Sequence, residues 1–175
     1  MTEPDPASLA EQAQRAYKAR QYERAAELFH QAAHGFTLGR DALLAAEMKN
    51  NASVAHLQAG DPQKALDAAL DTDKVFEGAK DIKRWAVAVG NQAAALDEIG
   101  RWQEALAAYE QSAQLFSEVS EKDMRALMLK SAAGIKLKRG RVSESAYEMM
   151  GALEAKANPT LFERIQRFLL RLRPW

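Results

Sequence analysis

Glu27, His30 and His34 are spaced by three and four residues, which puts them on one helix face, and imidazoles with a carboxylate can ligate a divalent transition metal. No fourth ligand stands in register with them and the face reads as solvated, so no metal site is expected there. His56 falls at a packing position, where a hydrogen-bonded histidine is expected rather than a catalytic base. Asp71 and Asp73 stand too close along a helix to share an ion and read as solvent-facing. Cysteine is absent, which removes thiolate ligands, disulfides and a cysteine nucleophile. No P-loop, dinucleotide fingerprint, nucleophile elbow or zinc-hydrolase motif occurs. The expectation is a non-enzymatic chain with no catalytic residue, no metal, no cofactor and no small-molecule substrate.

The elements that would carry these residues are helices. Alanine fills 35 of 175 positions, while Val, Ile and Thr together fill 14. Alanine loses no side-chain entropy in a helix, whereas strands favour β-branched residues. Prolines lie at 4, 6, 62, 159 and 174, so nothing breaks a helix between Gln63 and Asn158. No apolar run reaches the length of a membrane span, and the N-terminal residues do not read as a signal peptide, so a cytoplasmic chain is expected.

An internal repeat of 40 residues organises the chain. Arg20, Gly60, Gly100 and Gly140 are its anchors. Five residues after each stand Ala25, Ala65, Ala105 and Ser145, and twelve after stand Ala32, Thr72, Ser112 and Ala152. Seven before stand Ala13, Ser53, Ala93 and Ala133, and sixteen after the first three stand Phe36, Phe76 and Phe116. Glycine closes a helix in the left-handed conformation without steric cost, so each unit reads as helix, tight turn, helix. Asp61-Pro62 opens a helix, and Ser8 with Glu11 and Thr160 with Glu163 have capping-box spacing. The pattern predicts helices over 7–19, 22–37, 41–59, 62–78, 81–99, 102–118, 121–139, 142–156 and 160–172. The domain reading is a flexible tail at 1–6, four units at 7–40, 41–80, 81–120 and 121–157, and a C-terminal cap and tail at 158–175.

The small residues flanking the turn, with the aromatics Tyr22 and Trp102 two after it, resemble the tetratricopeptide repeat. The 40-residue length, without a closing proline, is similar to the long-repeat class of LGN/Pins-type scaffolds and kinesin light chain. The fourth unit departs from the pattern at Ser145 and Lys156, and the first lacks the turn glycine, as terminal repeats tend to. The resemblance implies an all-α, right-handed solenoid that binds a peptide or helix of a partner protein along its concave first helices. It also implies that asparagines nine before the anchor bond the ligand's backbone; Glu11, Asn51, Asn91 and Ser131 stand there. The expected groove comprises Asn50, Asn51, Val54, Leu57, Gln58, Asn91, Ala94, Glu98, Ser131 and Lys138. The alternative reading is that Asn51 and Asn91 only satisfy neighbouring helix carbonyls. The two-carboxylate clamp of chaperone-tail binders is not matched by Ala10, Gln14, Val87 and Asn91.

In the C-terminal segment, Leu161, Phe162, Ile165, Phe168, Leu169 and Leu172 share one helix side, with Arg164, Arg167 and Arg171 towards the other. This reads as a cap on the last unit, with docking on a membrane surface or partner as the alternative. Trp102 reads as packing and Trp85 as core or groove rim. The neutral total hides a separation: residues 1–120 sum to −6 and residues 121–175 to +6, with KLKRGR at Lys136–Arg141 the densest basic run. The second functional reading is therefore a self-associating adaptor that uses this basic end and the cap for homo-oligomerisation or for an anionic partner. A third reading, phosphate or nucleic-acid binding through the basic C-terminal unit, ranks below these two, since the chain as a whole is neutral.

Overall fold

The structure is a computed structural model that describes residues 5–160 and residue 163. Among these residues the chain forms helices only: α1 Pro6–Lys18, α2 Tyr22–Leu38, α3 Ala42–Gln58, α4 Pro62–Ala69, α5 Thr72–Gly78, α6 Ile82–Ile99, α7 Trp102–Glu118, α8 Lys122–Lys138 and α9 Val142–Ala155. Successive helices pack on one another, with α4 and α5 together filling one place between α3 and α6. The result is a TPR-like helical solenoid whose first helices are α1, α3, α6 and α8. Apart from Thr160 and Glu163, the helix expected over 160–172 lies outside the described residues, as do residues 1–4.

One turn builds the whole stack. Arg20, Arg40, Gly60, Lys80, Gly100, Ser120 and Gly140 all have positive φ, between 57° and 89°, at a spacing of 20 residues. After each, the next N–H reaches back five residues to a helix carbonyl, from Gln21 to Ala16 at 2.9 Å through to Arg141 to Lys136 at 2.9 Å. This is the Schellman closure, which satisfies carbonyls that the helix end would otherwise orphan. The glycine signal showed only the turns within units. The turns between units have the same geometry but are made by Arg, Lys and Ser, at a cost of about 1–2 kcal/mol each for a left-handed L-residue.

Capping differs from the expectation at the start. Asp5 caps α1 by accepting from the Ser8 N–H at 3.0 Å, and Pro6 opens the helix, so Ser8 and Glu11 lie inside it and form no capping box. Asp41, Asp61 and Asp81 cap α3, α4 and α6 in the same way. Thr160 and Glu163 do form the reciprocal box: Glu163 Oε2 accepts from the Thr160 N–H at 2.7 Å and the Thr160 hydroxyl accepts from the Glu163 N–H at 3.3 Å.

The helix expected over 62–78 is in fact two. Leu70 is extended, at φ −57° and ψ 134°, and Asp71 is left-handed at φ 60°. Thr side chains compete for backbone hydrogen bonds, and here Thr72 wins. The freed Ala69 carbonyl accepts from the Thr72 hydroxyl at 2.7 Å and from Gln92 Nε2 of α6 at 3.0 Å. Gln92 Nε2 also donates to Asp73 at 2.8 Å, so Asp73 is half-buried and held by α6 rather than solvated. Asp71 is exposed and pairs with Lys74.

The core follows the 40-residue offsets. Ala13, Ala25, Ala65, Ala93, Ala105 and Ala133 have no exposed surface, and Ser53 and Ser145 are buried with them. Ser145 donates to the Ala133 carbonyl at 2.8 Å and Ser112 to the Ala86 carbonyl at 2.7 Å, so these small polar members of the pattern are satisfied. Phe76 and Phe116 are fully buried, while Phe36 is only half-buried at the edge.

Truncating Phe76 to Ala is expected to cost about 3–5 kcal/mol, and Phe36→Ala less than half of that, read from urea unfolding followed by circular dichroism. Equal losses would contradict a stack in which the middle units carry the core. Gly100, at φ 89°, has nothing within 4 Å of a notional Cβ, so the cost of Gly100→Ala is torsional and should be about 1–2 kcal/mol.

Candidate peptide groove

The first helices present the same surface at 40-residue intervals. Asn51, Val54 and Leu57 on α3, Asn91 and Ala94 on α6, and Ser131 on α8 are all half-buried, while Gln58, Glu98 and Lys138 are exposed. Residues at the nine-before and six-before offsets therefore line a continuous, mostly uncharged face, with the polar ends of the helices at its rim. The offset thirteen before the anchor, absent from the expected groove, belongs to it as well. There Val87 of α6 is half-buried and Leu127 of α8 is half-exposed, which extends the apolar lining. The repeat spacing that located Asn51 and Asn91 would have located these too.

The asparagines divide into two roles. Asn50 is buried, so it does not belong to the groove surface where it was expected. Its Oδ1 takes the Nδ2 of Asn91 at 3.4 Å and lies 3.3 Å from the Thr72 hydroxyl. That hydroxyl has one proton, spent at shorter range on the Ala69 carbonyl, so its bond to Asn50 is a weak share. Asn50 thus ties α3 to α5 and α6. Ser131 shares a hydrogen bond with the hydroxyl of Tyr109, whose phenol is pushed up by burial and drawn partly back by that bond. Asn51 makes no side-chain hydrogen bond among the described residues. Of the two asparagines nine before the anchor, Asn51 has its full amide free, and Asn91 has its carbonyl oxygen free.

Arg84 bridges units, with Nε on Asp81 at 2.7 Å, Nη1 on Glu47 of α3 at 3.2 Å, and its guanidinium 5.2 Å from the Phe76 ring centre. The backbone N–H of Arg84, more than its charge, holds the Asp81 carboxyl below its ordinary value.

The basic run is also spoken for. Lys136 is buried, with its ammonium 2.9 Å from Glu110 and 2.8 Å from Glu148. Burial alone would lower its pKa, but the two carboxylates outweigh it and the net shift is upwards. Arg139 stacks on Trp102 at 5.1 Å, and Arg141 pairs with Glu144. Of KLKRGR, only Lys138 is an exposed cation without such a partner among the described residues. Trp102 and Trp85 both pack against the core around Val89 and Phe116. His30 meets His56, with Nε2 to Nε2 at 3.0 Å, rather than His34, which is exposed.

No family model matches the chain, and no curated protein is matched by its sequence. Among solved structures it is similar to a crystal structure of nearly identical TPR-like repeats from Podosopora anserina, in a protein named for kinesin light chain. The TM-score is 0.74 and the identity 18%, over 94% of this chain and 80% of that one. At that identity the likeness establishes the TPR-like fold. No helix among the described residues is long and apolar enough to cross a membrane.

Removing the Lys136 ammonium leaves Glu148 in a nearly closed site. Lys136→Ala is expected to cost about 3 kcal/mol in urea unfolding, whereas Lys136→Leu combined with Glu148→Leu should fall within about 1 kcal/mol of wild type.

Proposed function

We propose that this TPR-like solenoid is a non-enzymatic interaction scaffold that takes a partner's peptide or helix along its first helices. The observation that carries this reading is the repeated, half-buried and largely uncharged face formed by Asn51, Val54, Asn91, Ala94 and Ser131, extended by Leu127. Apolar positions exclude water around a ligand, and the amide of Asn51 can donate to and accept from a peptide backbone at once. Residues 158–175 serve as the cap. In support, the Thr160–Glu163 box and the 2.8 Å bond from Lys156 to Glu163 start this segment beside a cleft of about 190 Å³ lined by Ala126, Leu127, Met149, Ala152 and Leu153. A self-associating adaptor ranks second. Exposed Val142 and Tyr147 on α9 favour it, and the internal pairing of the basic run weighs against its anionic-partner form.

Val54→Arg with Ala94→Arg puts two bulky charges on the face without touching the inter-unit contacts of Asn50. With helicity unchanged by circular dichroism, partner capture by affinity chromatography should fall by about tenfold or more. Capture equal to wild type would remove the groove from consideration. Sedimentation at several concentrations then tests self-association separately.

A further inference from the structure

The first and last pairs of units share one contact position, which joins the residue ten after one anchor to the residue four before the next. In the last pair Glu110 and Lys136 occupy it as an ion pair at 2.9 Å. In the first pair His30 of α2 and His56 of α3 occupy it, and their rings meet Nε2 to Nε2 at 3.0 Å. The first unit is attached to the stack through this seam, since α1 packs on α2 and α2 on α3. The core on either side of the seam is apolar, with Ala26, Phe29 and Ala33 on α2 and Met48, Ala52 and Ala55 on α3. Among the described residues no ion pair crosses it, whereas Glu47–Arg84 and Glu110–Lys136 cross the later seams. The imidazole pair is thus the polar side-chain link that holds the first unit in register.

We propose that the His30–His56 bond is an acid-sensitive latch, which ties the first unit to the second at neutral pH and releases it when both rings are protonated. This goes beyond the interaction-scaffold reading and does not rest on it. Two neutral imidazoles facing through Nε2 share one proton, with one ring donating and the other accepting through its lone pair. A first added proton goes on the far Nδ1 of the donating ring, and the bond survives with charge assistance. A second can go only on the accepting Nε2. Two N–H groups and two cations then face one another across the seam, and the contact must part. The pair opens on a cleft of about 560 Å³, so protons reach it from solvent. Around it stand Glu23 and Glu27 on α2, Lys49 on α3, and Asp61 and Lys64 at the start of α4, while α1 adds no charge to the lining. Burial is the largest influence on each ring and holds both below the ordinary value of 6.5; Glu27 and Asp61 oppose this, and Lys49 and Lys64 reinforce it. The parted state therefore binds more protons than the closed one. The latch is complete above about pH 6.5 and is lost as the pH falls through the lowered values. At the same register Glu110–Lys136 has no group that changes charge between about pH 5 and 8, so the first seam alone responds.

The test is amide hydrogen exchange of the tag-free full chain at about pH 7.5 and 5.5, read by mass spectrometry and corrected for the pH dependence of chemical exchange. Peptides from α6 and α7 serve as the internal reference. Excluding one proton over the pH unit below 6.5 is a factor of ten, so the opening constant of α1 and α2 should rise about tenfold relative to the reference. His30→Gln combined with His56→Gln keeps a polar contact that cannot titrate, and should abolish the rise. His30→Glu combined with His56→Lys installs the pair found at Glu110 and Lys136, and should abolish it too, so the test does not depend on one variant folding. His34→Gln, at an exposed site on α2, should leave the rise intact. Equal changes in both halves of the stack, a rise that survives either double substitution, or its loss with His34→Gln would each overturn the proposal.

Discussion

No helix pair in this chain can bury its apolar face alone, so every unit must meet the next at the same angle. The left-handed residue at every twentieth position imposes that condition. It reverses the chain in one step and lets the following N–H close the helix it has just left. Once the reversal is constant, the length of each helical arm is constant too. The alanines flanking each turn then land against one another, and Phe76 and Phe116 fill what remains. Gly90 shows how close the approach is, since a Cβ there would come within 3.1 Å of Met128 Sδ and 3.2 Å of Ser112 Oγ.

What could be read from the sequence was whatever the register repeats. Glycines at 60, 100 and 140, the small residues around them and the phenylalanines all recur at fixed offsets; the glycines landed in the turns, the small residues with Phe76 and Phe116 in the core, and Phe36 at its edge. The turns at Arg40, Lys80 and Ser120 were placed by the repeat, but their left-handed conformation was not legible, because it is enforced by packing on both sides and carries no residue signature. The break at Leu70–Asp71 was hidden for a different reason. It keeps the repeat length, and it depends on Thr72 and Gln92 being placed to satisfy the Ala69 carbonyl. Helical spacing alone joined His30 to His34. The partner it actually meets lies 26 residues on, at the separation that also joins Glu110 to Lys136. An opposite-charge pair at 26 residues was the available signal for that contact.

The contacts between units are apolar in the main but are punctuated by polar groups at particular seams. The first seam has the His30–His56 pair, the second has Asn50 with Asn91 and Thr72, and the third has Lys136 between two carboxylates. Buried polar groups such as these add little net stability, because desolvation offsets most of what pairing returns. They do penalise a stack that slips, since a one-turn shift would leave a buried amide or ammonium without its partner. Alanine-rich faces are nearly featureless and could pack in several registers. The polar seams supply the discrimination that methyl groups cannot.

The same pairing changes what the separated charge can do. The −6 and +6 halves survive as sums over the chain, but their densest basic stretch is spent internally on Glu110, Glu148 and Glu144 and on the face of Trp102. An anion approaching Lys136–Arg141 meets exposed Lys138 and Arg139, the latter lying over Trp102, with Arg141 already paired to Glu144. Beyond about 8–10 Å at ordinary ionic strength exposed charges are largely screened, so a dipole spread along several units is felt mainly close to the surface. For the proposed groove, the chain's polarity is therefore better suited to orienting a bound ligand than to drawing one from solution. On the proposed groove reading, specificity would rest with the uncharged face and the Asn51 amide, and the charged ends would set direction.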